Sequence, residues 1–154
     1  MSSERLGDEL VLCNVSVAPF PLEDVFPAAA AAGFEGVSML ARPHARAVRH
    51  GRTNRELCEL ITDRGLFVCE IEAAGDWLGP VPFPADSMFH PVYTVDELLD
   101  VGEALEARTL VATHFGAPVA LDDAARAFAQ LCHRALERGC ASRSSSRQWR
   151  RSQT

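Results

Sequence analysis

Residues 54–71 read NRELCELITDRGLFVCEI. The first part, Asn54–Arg64, sets Leu57, Leu60 and Ile61 on one face, the spacing of an amphipathic helix, and Gly65 stops it. The second part, Leu66–Ile71 (LFVCEI), is a short apolar run rich in β-formers. A helix handed straight to a strand with no polar face is the repeating unit of a parallel sheet.

Working outward, the same unit recurs on both sides. Upstream, Leu10–Val17 (LVLCNVSV) reads as a strand ended by Pro19 and Pro21, and Pro21–Ala32 as a helix. That helix has Glu23 and Asp24 in its first turn and Gly33 at its stop, with Pro27 as an internal flaw that calls for a late start or a kink. Gly36–Leu40 (GVSML) is the next strand, and Ala41–Arg52 (ARPHARAVRHGR) is read as a basic loop. Downstream, Thr94–Ala107 is a helix capped by Thr94 with Glu97 three residues on and Leu98, Val101 and Leu105 as its apolar stripe. Thr109–Thr113 (TLVAT) is a strand, and Leu121–Arg138 a helix with Asp122 and Asp123 at its start and Gly139 after its end.

The order βαβαβαβα predicts an α/β fold with a parallel sheet and right-handed crossovers. No GxGxxG or GxxxxGK[ST] follows any strand, which removes the phosphate-loop argument for a doubly wound nucleotide-binding sheet. The expected fold is therefore a partial TIM barrel of about four βα units, since a complete barrel takes roughly 250 residues and this chain has 154. The expected organisation is an N-terminal extension over 1–9, the half-barrel over 10–140, and a tail over 141–154.

Composition narrows the function classes. The chain carries 21 acidic against 15 basic residues, for a net charge of −6, and all the basic residues are Arg. Residues 1–140 hold every acid and 11 Arg, which argues against a nucleic-acid binder. No run approaches the roughly 20 apolar residues of a membrane span, and MSSERLGDEL lacks the pattern of a secretory signal. A cytoplasmic protein is expected. The five cysteines (Cys13, Cys58, Cys69, Cys132, Cys140) match no zinc spacing and read as small buried thiols.

The tail, ASRSSSRQWRRSQT, holds four Arg and no acid where a fifth strand is due. One reading is a natural disordered tail. The other is a frame disruption near position 140: with G+C-rich codons, the bases behind Cys140 through Ser146 can be read as Arg-Val-Ala-Leu-Glu-Phe, a strand with a carboxylate near its end.

In α/β barrels, working residues sit at the carboxyl ends of strands. Asn14 and Ser16, after the first strand, say little. The Arg-rich stretch 41–52 is either an anion contact or a solvated loop. After the third strand come Glu72, Asp76 and Trp77, then a long Pro-rich loop from Gly79 to Pro91, of a length often used as a binding loop. The carboxylates could orient a polyol or a metal, Trp77 could stack on a sugar, and His90 reads as a loop residue without a role. After the fourth strand, Thr113-His114-Phe115-Gly116 puts a histidine at the pocket and a glycine beside it. Its alternative is a histidine bonded only to neighbouring backbone. His133, inside the last helix, reads as structural.

These segments, FPLEDVFPAAAAAGFEGVSM, LCELITDRGLFVCEIEAAGDWLG and THFG, resemble the first units of the sugar phosphate isomerase/epimerase family of xylose isomerase-like barrels over about residues 10–140. The resemblance implies proton transfer next to a carbonyl on a sugar, keto-sugar or inositol-type ketone. It also implies a divalent metal, Mn²⁺, Mg²⁺ or Zn²⁺, held by Glu, Asp, His and Glu from the last four strands. The first of those ligands would fall where Ser145 stands, and the others beyond the chain, so no metal ligand and no catalytic residue is assigned here. His114 carries over as a substrate contact, with Glu72 and Trp77 as weaker ones. A chain of this kind is expected to be truncated, inactive by itself, and prone to pair through its exposed edges as a homodimer. Two further readings are kept: a non-catalytic α/β binding module whose tail docks through Trp149, and an endonuclease IV-like repair enzyme, which the acidic body disfavours.

Overall fold

In the computed structural model, residues 9–87 and 90–139 are described. Four parallel strands lie in the order β1-β2-β3-β4: Val11–Leu12, Gly36–Leu40, Phe67–Ala74 and Thr109–Ala112. Each pairs with the next in sequence, so the sheet advances in one direction and leaves β1 and β4 as edges. Helices α1 (Leu22–Ala31), α2 (Ala41–Arg49), α3 (Asn54–Thr62), α4 (Val95–Ala104) and α5 (Leu121–Glu137) fill the connections.

Alternation along the strands divides the sheet into two faces. Met39 and Ile71, paired in register and wholly buried, join Phe26, Leu57 and Leu99 in the core between sheet and helices. Glu70 and Glu72, on either side of Ile71, take the opposite face with their partners Thr109 and Val111, all only half-buried. Bulges at Val37/Ser38 and Glu72/Ala74 adjust the register at β3.

Helix ends follow the sequence signals. Thr53 with Glu56 and Thr94 with Glu97 form complete capping boxes. Gly33, Gly51 and Gly65 take positive φ where α1, α2 and α3 stop. After α4 that place belongs to Glu106, at φ 52°. Pro27 stands inside α1, and the burial of Leu22, Val25, Phe26 and Ala29 holds the helix together despite the missing N–H.

Three expectations are corrected. The strand expected over Leu10–Val17 stops after Leu12, and Asn14–Val17 turns as a 3-10 helix, because Asn14 leaves the ladder to donate its backbone N–H to Ser38 Oγ at 2.9 Å. The loop expected over Ala41–Arg52 is mostly α2. Its apolar side is short, but Pro43, His44, Ala45 and Ala47 bury, while Arg42 and Arg49 stay exposed and Arg46 is half-buried. The thiols are also less buried than expected: Cys13 is exposed and Cys58, Cys69 and Cys132 are half-buried. Burial still pushes the Cys58 and Cys69 thiols up, away from reactivity.

No helix among the described residues is long and apolar enough to cross a membrane. The alternative strand near position 145, the docking of Trp149 and the whole 141–154 tail lie outside the described residues, as does Cys140.

Candidate functional site

The carboxyl ends of the strands surround a cavity of about 590 Å³. Val15 and Ala18 reach it from the segment after β1, Leu40 and Arg42 from the β2–α2 junction, Glu72 from the end of β3, and Thr113 from the end of β4. Phe115, Pro91 and Val92 add an apolar wall, so a few polar groups stand out against an otherwise greasy lining.

Glu72 is the carboxylate in that lining, and its Oε1 is buried with no hydrogen-bond partner. Two residues back, burial and then the charge of Glu72 push the Glu70 carboxyl up from its ordinary 4.5. Perturbation of this kind marks acid–base sites more often than surfaces. Asp76 also buries an unpartnered oxygen, though it does not line the cavity.

Trp77 and His114, the other two expected substrate contacts, do not line the cavity, although Thr113 and Phe115 on either side of His114 do. The Trp77 indole donates to the Thr113 carbonyl at 3.1 Å and its ring meets Phe128 edge-on, with centroids 5.8 Å apart. The indole N–H is therefore spent on holding β4 to β3. His114 is exposed, and its Nε2–H donates to the Ala117 carbonyl at 2.9 Å. The neighbouring glycine makes room for that ring: a Cβ on Gly116 would lie 2.7 Å from His114 Cε1.

Several residues at the site have places that the sequence reading did not give them. His90, read as without a role, lines the cavity, with its Nδ1–H donating to Phe83 O at 2.9 Å. Arg42 Nη2 donates to the Ser87 and His90 carbonyls at 3.0 and 3.1 Å and so fastens the Pro-rich loop to α2. Arg46 Nη2 does the same for the segment before α1, with Phe20 O at 2.6 Å. The signal was present as a run of arginines; missing was the helical phase that puts Arg42, Arg46 and Arg49 on one wall. Asn14, 1% exposed, buries both side-chain amide atoms without partners at the end of β1. Its only signal was a polar residue inside an apolar run.

The comparison with solved structures decides the fold. A xylose isomerase domain-containing protein from Salmonella typhimurium superposes with a TM-score of 0.69 at 15% identity, over 90% of this chain and 49% of that one. The chain has the fold of half a xylose isomerase-like TIM barrel. IolI, solved with a bound zinc atom, gives 0.64 at 10% identity over 85% and 49%. A sugar phosphate isomerase/epimerase from Parabacteroides distasonis gives 0.52 at 15% over 90% and 49%. The half-barrel thus spans about half the length of the structures it matches. No family model and no curated protein matches its sequence.

Among the described residues of the half-barrel, no three of His, Cys, Asp and Glu gather where they would hold a metal ion. The residues present therefore do not fit the divalent ion that the sequence resemblance implies.

Proposed function

We propose that this half-barrel is the substrate-holding part of an isomerase or epimerase that moves a proton next to the carbonyl of a sugar, keto-sugar or inositol-type ketone. The observation that carries the reading is Glu72, a carboxylate with one oxygen buried at the cavity and bonded to nothing. An acceptor left in that state costs about 1–3 kcal/mol, and a polyol hydroxyl supplies the missing donor. Phe115, Pro91 and Val92 offer a surface for the C–H faces of such a ligand. Trp77 acts as a positioning residue through Thr113, and His114, its Nε2–H held by the Ala117 carbonyl, shapes the turn between Thr113 and Phe115 of the lining. The names of the structural neighbours support the reaction class by analogy of fold. By itself the chain binds without turnover, because the acid–base and ligand groups of the complementary half are not among residues 9–139.

Binding of D-fructose and D-xylulose, followed by calorimetry, tests this reading. Saturable heat that weakens at least about tenfold in Glu72→Leu, and less in Glu72→Gln, is the expected result. Absence of binding by either ketose, or a Glu72→Leu variant that binds like the wild type, overturns it.

We further propose that the open edges pair with a second copy of the chain. In α5, the helix that follows edge strand β4, only Leu131 and Ala135 are buried among the described residues, while Leu121, Phe128 and Leu136 are 82%, 50% and 50% exposed. Two sets of four parallel strands make the eight of a closed barrel.

A further inference from the structure

Helix α2 fastens two of the segments that wall the cavity. Towards the segment after β1, Arg46 donates to the carbonyls of Ala18, Pro19 and Phe20, and Ala18 lines the cavity. Towards the Pro-rich loop, Arg42 Nη2 donates to Ser87 O and His90 O at 3.0 and 3.1 Å. Two residues further along the helix, His44 Nδ1 accepts from the Tyr93 hydroxyl at 2.9 Å, and the two rings meet edge-on. The anchored positions, His90 and Tyr93, bracket Pro91 and Val92, the apolar wall of the cavity. A guanidinium presents its donors in a fixed plane, so the carbonyls bonded to it are held in direction as well as in distance.

The loop so fastened also braces itself. His90 Nδ1–H donates to Phe83 O at 2.9 Å, His90 N–H to Ser87 O at 3.1 Å and Ser87 N–H to Pro84 O at 2.9 Å. Phe83 in turn meets Phe115 of the lining edge-on, with centroids 5.5 Å apart. The described part of the loop is therefore tied to α2 on one side and to the segment after β4 on the other. Arg42 itself is exposed and stands outside the hydrophobic core. Loss of its bonds leaves the core packing in place and frees the wall, and a site is only as well shaped as the contacts that support it.

We propose that Arg42, and Tyr93 through His44, are positioning residues that fix the Pro91–Val92 wall from α2, and that this wall decides the size of ligand the cavity accepts. The inference rests on the reading of the cavity as the substrate site and adds the element that selects among substrates. Held, the wall closes on a monosaccharide. Released, it loses contact with a small ligand and makes room for a large one.

The test pairs D-fructose with the ketose disaccharide lactulose, bound to the wild type, Arg42→Gln, Arg42→Lys and Tyr93→Phe and followed by calorimetry. Hydrogen exchange across residues 79–87 and 90–93 adds a readout that needs no ligand. The wild type should prefer fructose, and Arg42→Gln should reduce that preference about tenfold, as the loss of two hydrogen bonds from a charged donor implies. Arg42→Lys should recover part of it, and Tyr93→Phe should lower it in the same direction. Exchange in the loop should quicken in Arg42→Gln while that of α3 and the melting temperature stay as in the wild type, which separates a displaced wall from a loosened fold. If loop exchange is unchanged in Arg42→Gln, or quickens with no change in the fructose-to-lactulose ratio, the proposal falls while the sugar-site reading stands on the binding of fructose. A wild type that prefers lactulose overturns the proposal in the same way. If the wild type binds neither sugar, the sugar-site reading falls, and the selectivity drawn from it falls too.

Discussion

The indole N–H of Trp77 donates to the backbone carbonyl of Thr113 across 3.1 Å, tying the loop after β3 to the end of β4. Thr113 N in turn donates to Ala74 O at 2.9 Å, so the two links clamp the lip of the cavity. Trp77→Phe keeps the edge-on contact with Phe128 and removes only the donor. About 1 kcal/mol of stability should go with it, lowering the melting temperature by roughly 2–4 °C in a chain of this size. Thermal unfolding checks this, and ligand affinity should weaken with it because Thr113 lines the cavity.

Glu106 occupies the left-handed position after α4 at φ 52°. The Ala107 N–H reaches Gly102 O at 2.8 Å and Glu106 N–H reaches Glu103 O at 3.1 Å, the two bonds of a Schellman stop. A side chain in that conformation costs roughly 1 kcal/mol that glycine does not. Glu106→Gly should therefore stabilise the protein by about 0.5–1 kcal/mol, read as a raised urea midpoint.

These two residues mark where the sequence could and could not be read. Gly33 and Gly65 announce their helix stops, whereas Glu106 does the same work with no local signature, so the expected helix runs on to Ala107, three residues beyond Ala104. Strand β2 and the Thr94–Glu97 capping box were legible because period and cap chemistry are local, and the Thr53–Glu56 box, with the same local signature, was missed. Helix α2 was not, because its polar face carries the arginines and its buried face includes His44, whose place depends on Tyr93 and Asn54 from elsewhere in the chain. At the site, Glu72 was found from its position at a strand end. Trp77 and His114 were named from the same logic, yet the bonds that fix them, to Thr113 and Ala117, are tertiary and turn geometry that no motif encodes.

His44 gives the stability a pH dependence. Its ring is 1% exposed, with Nε2–H donating to Asn54 Oδ1 at 2.8 Å and Nδ1 accepting from the Tyr93 hydroxyl at 2.9 Å. Burial holds its pKa below the ordinary 6.5, against a smaller opposing effect of the Asn54 bond. The unfolded chain therefore takes up the proton first, so stability is full above pH 6.5 and declines as pH falls from there through the folded value. His44→Gln should be less stable at pH 8 and show a shallower decline below pH 6.5 in urea midpoints.

Gly116 and His114 are predicted to be coupled. A Cβ at Gly116 meets His114 Cε1 at 2.7 Å, so Gly116→Ala must swing the ring away and break its bond to Ala117. Because the ring is exposed and free to move outward, the cost should stay below about 1 kcal/mol. Adding Gly116→Ala to a His114→Ala background should then cost almost nothing, and a double-mutant cycle measures the difference.

Pairing of two half-barrels would bury the strand edges and the apolar residues that α5 leaves exposed. A monomer carries Leu121 at 82% and Leu136 at 50% exposure without benefit, so replacing them costs it little. In a dimer closed through β4 and the partner's β1 the same residues lie near the seam, where a charge is expensive. Sedimentation of the wild type should give twice the 16.7 kDa of the chain. Leu121→Glu with Leu136→Glu should return it to the monomer mass while the far-ultraviolet circular dichroism stays the same. A wild type that sediments as a monomer at tens of micromolar would rule out self-pairing and leave the edges for a different chain.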